Sequence, residues 1–422
     1  MRHVRKCQSF PRFALLVCAP LFATLAAARA AAEPAPARLS LTDALARAET
    51  ASPLVRRARA EREAVAARDV GASLLLPANP VVSAAAGPRR EGDRRGTEFL
   101  LHAEQTVEIG GQRAARRAVV GRAVRTASLR EEVARIETRA RVRAAYVAAQ
   151  LAGAQVDAAA ERERLTGALL EAVRARVASG ASSSVDLELA RLEHGVAARA
   201  RAGAALAAAD LLARLRVLVG LPPGAPLQVD LAVAPPAPPA GALPALLARA
   251  EQRRAELAVL RAGGEELDAE IARLHREAIP SATLFVDFER DLPGQAYLGG
   301  GVAIPLPLWR RQQGELALAH AERARLGDEQ ALAAREVALE VERAYQAAAA
   351  QAGAVALLDD EVLPAAEASV RLLTEGWRAG KFDLFRVLQT SRDASEARRL
   401  YLETLGALWD ASIALERAVG ER

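Results

Sequence analysis

Two pairs of polar residues stand two positions apart in short alternating segments: His102 with Glu104, and Asp287 with Glu289. Residues i and i+2 of a strand share a face, so each pair would present its groups side by side on a surface able to touch passing ions. That is contact chemistry and not a built metal site. The other histidines beyond the first thirty residues, His194, His275 and His320, lie far apart without HxxxH or HExxH spacing. Gly299-Gly300-Gly301 is followed by no Gly-Lys-Ser/Thr and is no phosphate loop; small residues inside a narrow sheet are the simpler cause. No nucleophile, base and orienting group come together along the chain, so neither an enzyme nor a cofactor is expected.

These residues need strands to hold them. From Ser281 to Arg290 the even positions Ala282, Leu284, Val286 and Phe288 are apolar while Ser281, Thr283, Asp287 and Glu289 alternate with them, Phe285 excepted. Ala296, Leu298, Val302 and Ile304 repeat the pattern, and Phe99, Leu101, Ala103 and Val107 oppose Glu98, His102, Glu104, Thr106 and Glu108. Segments of about ten residues with one oily and one polar face suit transmembrane barrel strands. Four strands cannot close a barrel, and open edges are not tolerated in lipid. The chain is therefore expected to oligomerise.

Charge and targeting agree with export. The formal charge of +5 reflects Arg2, Arg5, Lys6, Arg12 and Arg29, with no acid among the first thirty residues; the remainder is formally neutral, which removes the case for a nucleic-acid partner. A basic start, an apolar stretch from Phe13 to Ala28 and the small residues around Ala30 read as a signal peptide over 1–30. The alternative is a lipoprotein signal acylated at Cys18, disfavoured by bulky Val17 before it. Both cysteines, Cys7 and Cys18, fall in this segment, leaving the exported chain without thiol chemistry. No later window is both long and apolar enough for a membrane helix.

The remaining chain is one plan written twice. Leu45–Glu49 recurs as Leu247–Glu251, Pro77 as Pro280, Tyr146 as Tyr345, Gly180 as Gly380 and Gly220 as Gly420. A repeat of about 200 residues follows, over 39–220 and 242–420, separated by a Pro-rich extended linker at 221–241. Each repeat predicts a helix (39–76; 242–278), the strand pair, a very long helix (112–177; 314–378) and a returning helix (186–219; 383–419). Thr42 and Asp43 are plausible caps of the first helix. Leu129, Val133, Ile136 and Ala140 step by four, three and four, the seam of a coiled-coil pairing.

The segments "VEIGGQR" (Val107–Arg113), "IPLPLWRRQQGE" (Ile304–Glu315), "VASGASSSVDL" (Val177–Leu187) and "WRAGKFDLFRVL" (Trp377–Leu388), with the duplication and the signal, resemble the TolC-type outer-membrane factors, most of all the CzcC-like heavy-metal efflux branch. The resemblance covers nearly all of 39–420. It implies a mainly α fold with a small β part, in which a long periplasmic α-helical tunnel meets a transmembrane β-barrel completed by trimerisation, four strands per protomer. It also implies partners: a periplasmic adaptor, an inner-membrane pump of the resistance-nodulation-division type and outer-membrane lipid. On this resemblance Gly110, Gly111, Pro305 and Pro307 mark the junction of barrel and tunnel. His102, Glu104, Asp287 and Glu289 face the lumen, and loops at 88–96 and 291–294 face outward. Gly180, Asp186, Gly380, Lys381, Asp383 and Arg386 form the periplasmic tip, where an adaptor docks and the aperture narrows. The second repeat has Arg386 where an aspartate is usual, which suggests that Asp186 pairs with Arg386 or Lys381 to hold the tip shut. A periplasmic coiled-coil adaptor or structural protein is the alternative reading; it predicts a single hairpin and a membrane anchor in place of the duplicated plan.

Overall fold

A computed structural model describes residues 37–421 except 231, 240 and 291–294. The expected signal at 1–30, the Cys18 alternative and the outer loop at 291–294 lie outside the described residues. The first repeat runs β1 (Ala37–Leu39), α1 (Leu41–Ala51), α2 (Pro53–Ala72), β2 (Val81–Glu91), β3 (Arg94–Val107), α3 (Gln112–Ala178) and α4 (Ser184–Leu218). The linker holds β4 (Leu227–Val229), and the second repeat runs α5 (Leu243–Arg253), α6 (Ala255–Glu277), β5 (Ala282–Arg290), β6 (Ala296–Ala303), α7 (Gln313–Leu357), α8 (Leu363–Arg378) and α9 (Leu384–Val419). The fold is mainly helical, with one four-stranded sheet in the order β2-β3-β5-β6.

Helix α3, 67 residues long, spans ~100 Å at ~1.5 Å per residue. Its partners α2 and α4 lie beside it, and α6 and α9 of the second repeat pack against it as well. This multiplicity corrects the expected seam. The buried line is Ala123, Ala127, Glu131, Ala134, Thr138, Val142 and Tyr146, whereas Leu129, Val133, Ile136 and Ala140 are only half-buried. Small residues hold the seam because a helix enclosed on several sides must let its neighbours approach closely.

Three helix expectations are corrected by local chemistry. The first helix of each repeat is two helices. In the first, Pro53 opens α2 and drives Ser52 to an extended ψ of 123°. In the second the break falls at Arg254, also extended. Its buried guanidinium bonds Glu256 Oε2 and Glu340 Oε2, both at 2.8 Å, and the Arg417 carbonyl at 3.2 Å. The second long helix is interrupted by a π-helical turn at Leu358–Val362, directly before Pro364 in the first turn of α8. Proline supplies no N–H to the preceding turn and crowds its carbonyl, so that turn widens. The cap of α1 is Ser40, whose Oγ accepts from the Asp43 N–H at 3.1 Å; Thr42 and Asp43 are already inside the helix.

The linker is extended but not free. β4 pairs in parallel with β1, joining the two repeats, and buried Leu227 enters the cluster of Leu39, Val142, Tyr146 and Leu215. The Tyr146 hydroxyl donates to the Leu39 carbonyl at 2.9 Å, and Gln150 Nε2 donates to the Asp230 carbonyl at 2.6 Å. Trp409 Nε1 donates to the Ala234 carbonyl at 3.1 Å. A linker strapped to α3 and α9 fixes the position of the second repeat against the first.

Candidate conduit: sheet faces, junction and tip

Register sorts the strand residues onto two faces. β3 pairs antiparallel with β5, setting Leu101 opposite Phe288, Ala103 opposite Val286 and Val107 opposite Ala282. β2 adds Val82, Ala84 and Ala86 to that apolar face, and β6 adds Leu298 and Val302. Val82 (67%), Val286 (52%), Leu298 (73%) and Val302 (58%) are exposed, so most of this face is uncovered among the described residues, Ala282 at its lower end being buried. Both outer strands, β2 and β6, have one unpaired edge in the protomer.

The opposite face carries the expected polar residues and brings most of them together. His102 stands opposite Asp287, with its Nδ1 2.6 Å from Asp287 Oδ1 and its Nε2 3.5 Å from Glu104 Oε2. Thr106 and Thr283 hydroxyls meet at 3.1 Å, and Glu289 lies further along the same face. Phe285, the exception to the alternation, also points here, against Gly301, where a Cβ would come within 2.6 Å of the ring. That close approach accounts for glycine at 301 without any phosphate. His194 on α4, His275 on α6 and His320 on α7 do not join His102. Among the described residues no three His, Cys, Asp or Glu side chains form a metal-holding group.

The expected junction residues lie where strands give way to helices. Gly111, at φ 78°, caps α3, and a Cβ on Gly110 would come within 2.7 Å of Ile279 Cβ. The reading of the sequence passed over the residue that ties this corner. Buried Gln112 accepts from the Gly110 N–H and donates to the Ile279 carbonyl, both at 2.8 Å. Its counterpart Gln313 accepts from the Arg311 N–H and donates to the Trp309 carbonyl, both at 2.6 Å. The repeated glutamine after GG and RRQ was the available signal. Pro305 and Pro307 follow the end of β6, and Arg311 Nε donates to the Pro307 carbonyl at 3.0 Å.

At the tip, Gly180 and Gly380 adopt φ 75° and 74° and close the two long helices in the same way. The Ala181 N–H reaches the Arg176 carbonyl at 2.7 Å, and the Lys381 N–H reaches the Gly376 carbonyl at 2.8 Å. Within the protomer the expected pair of Asp186 with Arg386 or Lys381 is not made. Asp186 is the third residue of a capping box, accepting from the Ser183 N–H at 3.0 Å and the Ser182 hydroxyl at 3.2 Å. These bonds, the Ser183 amide foremost, hold its carboxyl below the usual aspartate range. Asp383 caps α9 by accepting from the Arg386 N–H at 2.8 Å, and the Arg386 guanidinium stays with Asp383 at 3.7 Å. A carboxylate committed to its own helix start has less to offer a distant cation.

Above the tip the two repeats are joined by charge and by packing. Glu193 on α4 is buried and accepts from Nε and Nη2 of Arg392 on α9, with Arg162 of α3 at 3.5 Å. Arg392, more than the neighbouring Arg162, holds the Glu193 carboxyl below the usual glutamate range against its burial. Arg176 stacks 5.2 Å above the Trp377 ring, which packs with Leu169, Val173, Val387 and Leu388. Motif reading had no means to find these residues, because they are brought together only by the pairing of the repeats.

Comparison with known proteins places this architecture. Residues 246–421 match the family described as outer membrane efflux protein. The cobalt-zinc-cadmium resistance protein CzcC of Cupriavidus metallidurans is 28% identical over 323 residues, 74% of this chain and 75% of that protein. The crystal structure of CusC, which forms a transmembrane channel, superposes with a TM-score of 0.73 at 16% identity, covering 91% of this chain and 93% of that one. The outer-membrane channel OprN gives 0.73 at 15% identity with 90% of both chains covered. The outer membrane protein VceC of Vibrio cholerae gives 0.70 at 15% identity over 90% of this chain and 96% of that one. Residues 246–421 match the outer membrane efflux protein family, and the described chain as a whole has the fold of these outer-membrane channels.

Proposed function

We propose that the chain is the outer-membrane exit duct of a tripartite efflux system. Three protomers contribute four strands each to one barrel, and the helices continue it as a periplasmic tunnel. The observation that carries this reading is the sheet: an exposed apolar face, a polar opposite face, and two unpaired edges at β2 and β6. In lipid such edges need partners, and the β6 edge of one copy meeting the β2 edge of the next supplies them. The polar face then lines a water-filled lumen. The duct performs no chemistry of its own. An inner-membrane pump of the resistance-nodulation-division type supplies the energy, and a periplasmic adaptor meets the tip at Gly180, Lys381 and Gly380.

The cargo we infer is heavy-metal cations, supported by the likeness to a cobalt-zinc-cadmium resistance protein and by the carboxylates Glu104 and Asp287 on the lumenal face. Outer-membrane fractionation, mobility on unboiled gels and conductance in planar bilayers test the duct. Recovery as a trimer that conducts ions is the expected result; a soluble monomer without conductance overturns it. Cobalt, zinc and cadmium sensitivity of a deletion strain, complemented by this chain, tests the cargo.

The tip proposal concerns neighbouring protomers. With Asp186 held by its own cap, a latch to Arg386 or Lys381 of the adjacent copy would rest on charge attraction alone. Unchanged conductance of the Asp186→Asn trimer in bilayers ends that proposal.

A further inference from the structure

The β2–β3 hairpin does not end in the loop expected over 88–96. It stays paired through Arg90 opposite Arg95 and Glu91 opposite Arg94, and only Gly92 and Asp93 make the turn. The described pairing of β5 with β3 ends at Phe99–Arg290, so among the described residues the hairpin extends beyond β5 and β6. Strand alternation then divides its arginines. Arg89 lies on the polar face and bonds Glu98 there, Nη1 to Oε1 at 2.9 Å. Arg90 and Arg95 lie on the other face, in line with Ala86, Phe99 and Leu101, and Arg290 lies on that face too, but beside Phe99, four residues lower along the strand. All three are exposed, and none has an ion pair among the described residues.

Two features make this cluster more than a solvated loop. Like charges directly opposite each other on a sheet are destabilising, yet Arg90 and Arg95 occupy one cross-strand pair. Their height is also telling. From Val107 to Arg95 the strand measures ~40 Å at ~3.3 Å per residue, which is ~30 Å along the membrane normal at a tilt of ~40°. That is about the thickness of a hydrocarbon core. The Arg90 and Arg95 guanidinium groups therefore emerge from the apolar face at headgroup level, on the side away from the helices. We infer that Arg90 and Arg95 bind the phosphates of the phosphorylated glycolipid that forms the outer leaflet of the outer membrane. A planar guanidinium matches phosphate oxygens by paired, charge-assisted hydrogen bonds, and the adjacent Phe99 and Pro88 lie against the acyl chains. Phosphate relieves the Arg90–Arg95 repulsion.

This inference rests on the sheet spanning the outer membrane, and the test separates the two. Full-length protein in detergent is titrated with bisphosphorylated lipid A, with the same lipid stripped of both phosphates, and with phosphatidylglycerol, bound lipid being read by native mass spectrometry. The wild type is expected to prefer bisphosphorylated lipid A, with binding weakened by salt. Arg90→Gln/Arg95→Gln loses it at least tenfold, whereas Arg94→Gln, on the polar face, keeps it. Equal binding by the double variant, or equal binding of phosphatidylglycerol by the wild type, overturns the assignment. Bilayer conductance of the same preparations reports on the duct independently: conducting protein without lipid preference sinks this inference alone, and protein that never conducts sinks the channel reading.

Discussion

The carboxylate of Glu193 on α4 is gripped by the guanidinium of Arg392 on α9, so the returning helices of the two repeats are joined side chain to side chain above the tip. Glu193 is buried, while Arg392 keeps one flank in solvent. Replacing Glu193 by Gln leaves Arg392 and Arg162 facing each other without the anion. A loss of about 2 kcal/mol is expected, since hydrogen bonds to charged groups carry ~1.5–3 kcal/mol and the flank of Arg392 can rehydrate. Denaturant unfolding followed by circular dichroism measures it, and a double-mutant cycle with Arg392→Gln assigns it to the pair.

The same pair gives a pH dependence. Because the folded Glu193 carboxyl lies below its ordinary value of 4.5, its contribution is fully present above that pH and is lost as pH falls through the lower folded value. Wild type should therefore lose stability below pH 4.5 more steeply than Glu193→Gln, the two curves converging in acid. Parallel curves would show that the carboxylate does not contribute.

Gln112 closes the corner between β3 and α3 by satisfying one amide and one carbonyl at once. Gln112→Ala strands both groups in a buried corner, at about 2 kcal/mol. Gln313→Ala, whose partners are exposed, is expected to cost under ~0.5 kcal/mol. Hydrogen exchange of the Gly110 amide reads the first change directly: it should accelerate by more than tenfold in Gln112→Ala and stay unchanged in Gln313→Ala.

On the proposed trimer, Glu104 and Asp287 line the lumen and are expected to set the sign of the ions that pass. Asp287→Asn and Glu104→Gln would then remove a ring of negative charge each. The reversal potential of the pore in a potassium chloride gradient should move toward chloride for either variant and further for both. A reversal potential that ignores both substitutions would show that neither carboxylate faces the conducting path.

How much of this was readable beforehand divides along a physical line. The strand faces were legible because period-two alternation in Leu284, Val286 and Phe288 depends only on the strand itself, and the register sets Val286 opposite Ala103 and Phe288 opposite Leu101, with Gln105 opposite Leu284 the exception. Gly180 and Gly380 were legible because a left-handed helix end favours glycine. The Ser52–Pro53 break and the π turn before Pro364 were written in the sequence as prolines, but the continuous apolar pattern around them concealed the interruption. Glu193, Arg392 and Arg162 were not legible at all. Their meeting depends on how α4 and α9 pair across the two repeats, and a charge on a helix reads as solvated until its neighbour is known. The strapping of 221–241 by Gln150 and Trp409 belongs to the same class.

The sharpest test of the architecture uses two residues three positions apart on β5. Val286 lies mid-strand on the exposed apolar face, opposite Ala103 and Gly300, whereas Thr283 bonds Thr106 on the polar face. Arginine on a lipid face costs ~2–4 kcal/mol near the bilayer midplane, whereas a lumenal arginine remains hydrated. In a trimer the first penalty is incurred once per protomer. Val286→Arg should therefore abolish recovery of the heat-modifiable trimer from outer membranes. Thr283→Arg, losing one hydroxyl contact worth ~1 kcal/mol, should assemble and alter only conductance. If Val286→Arg assembles as well as Thr283→Arg, the exposed face is not in contact with lipid and the sheet does not span a membrane.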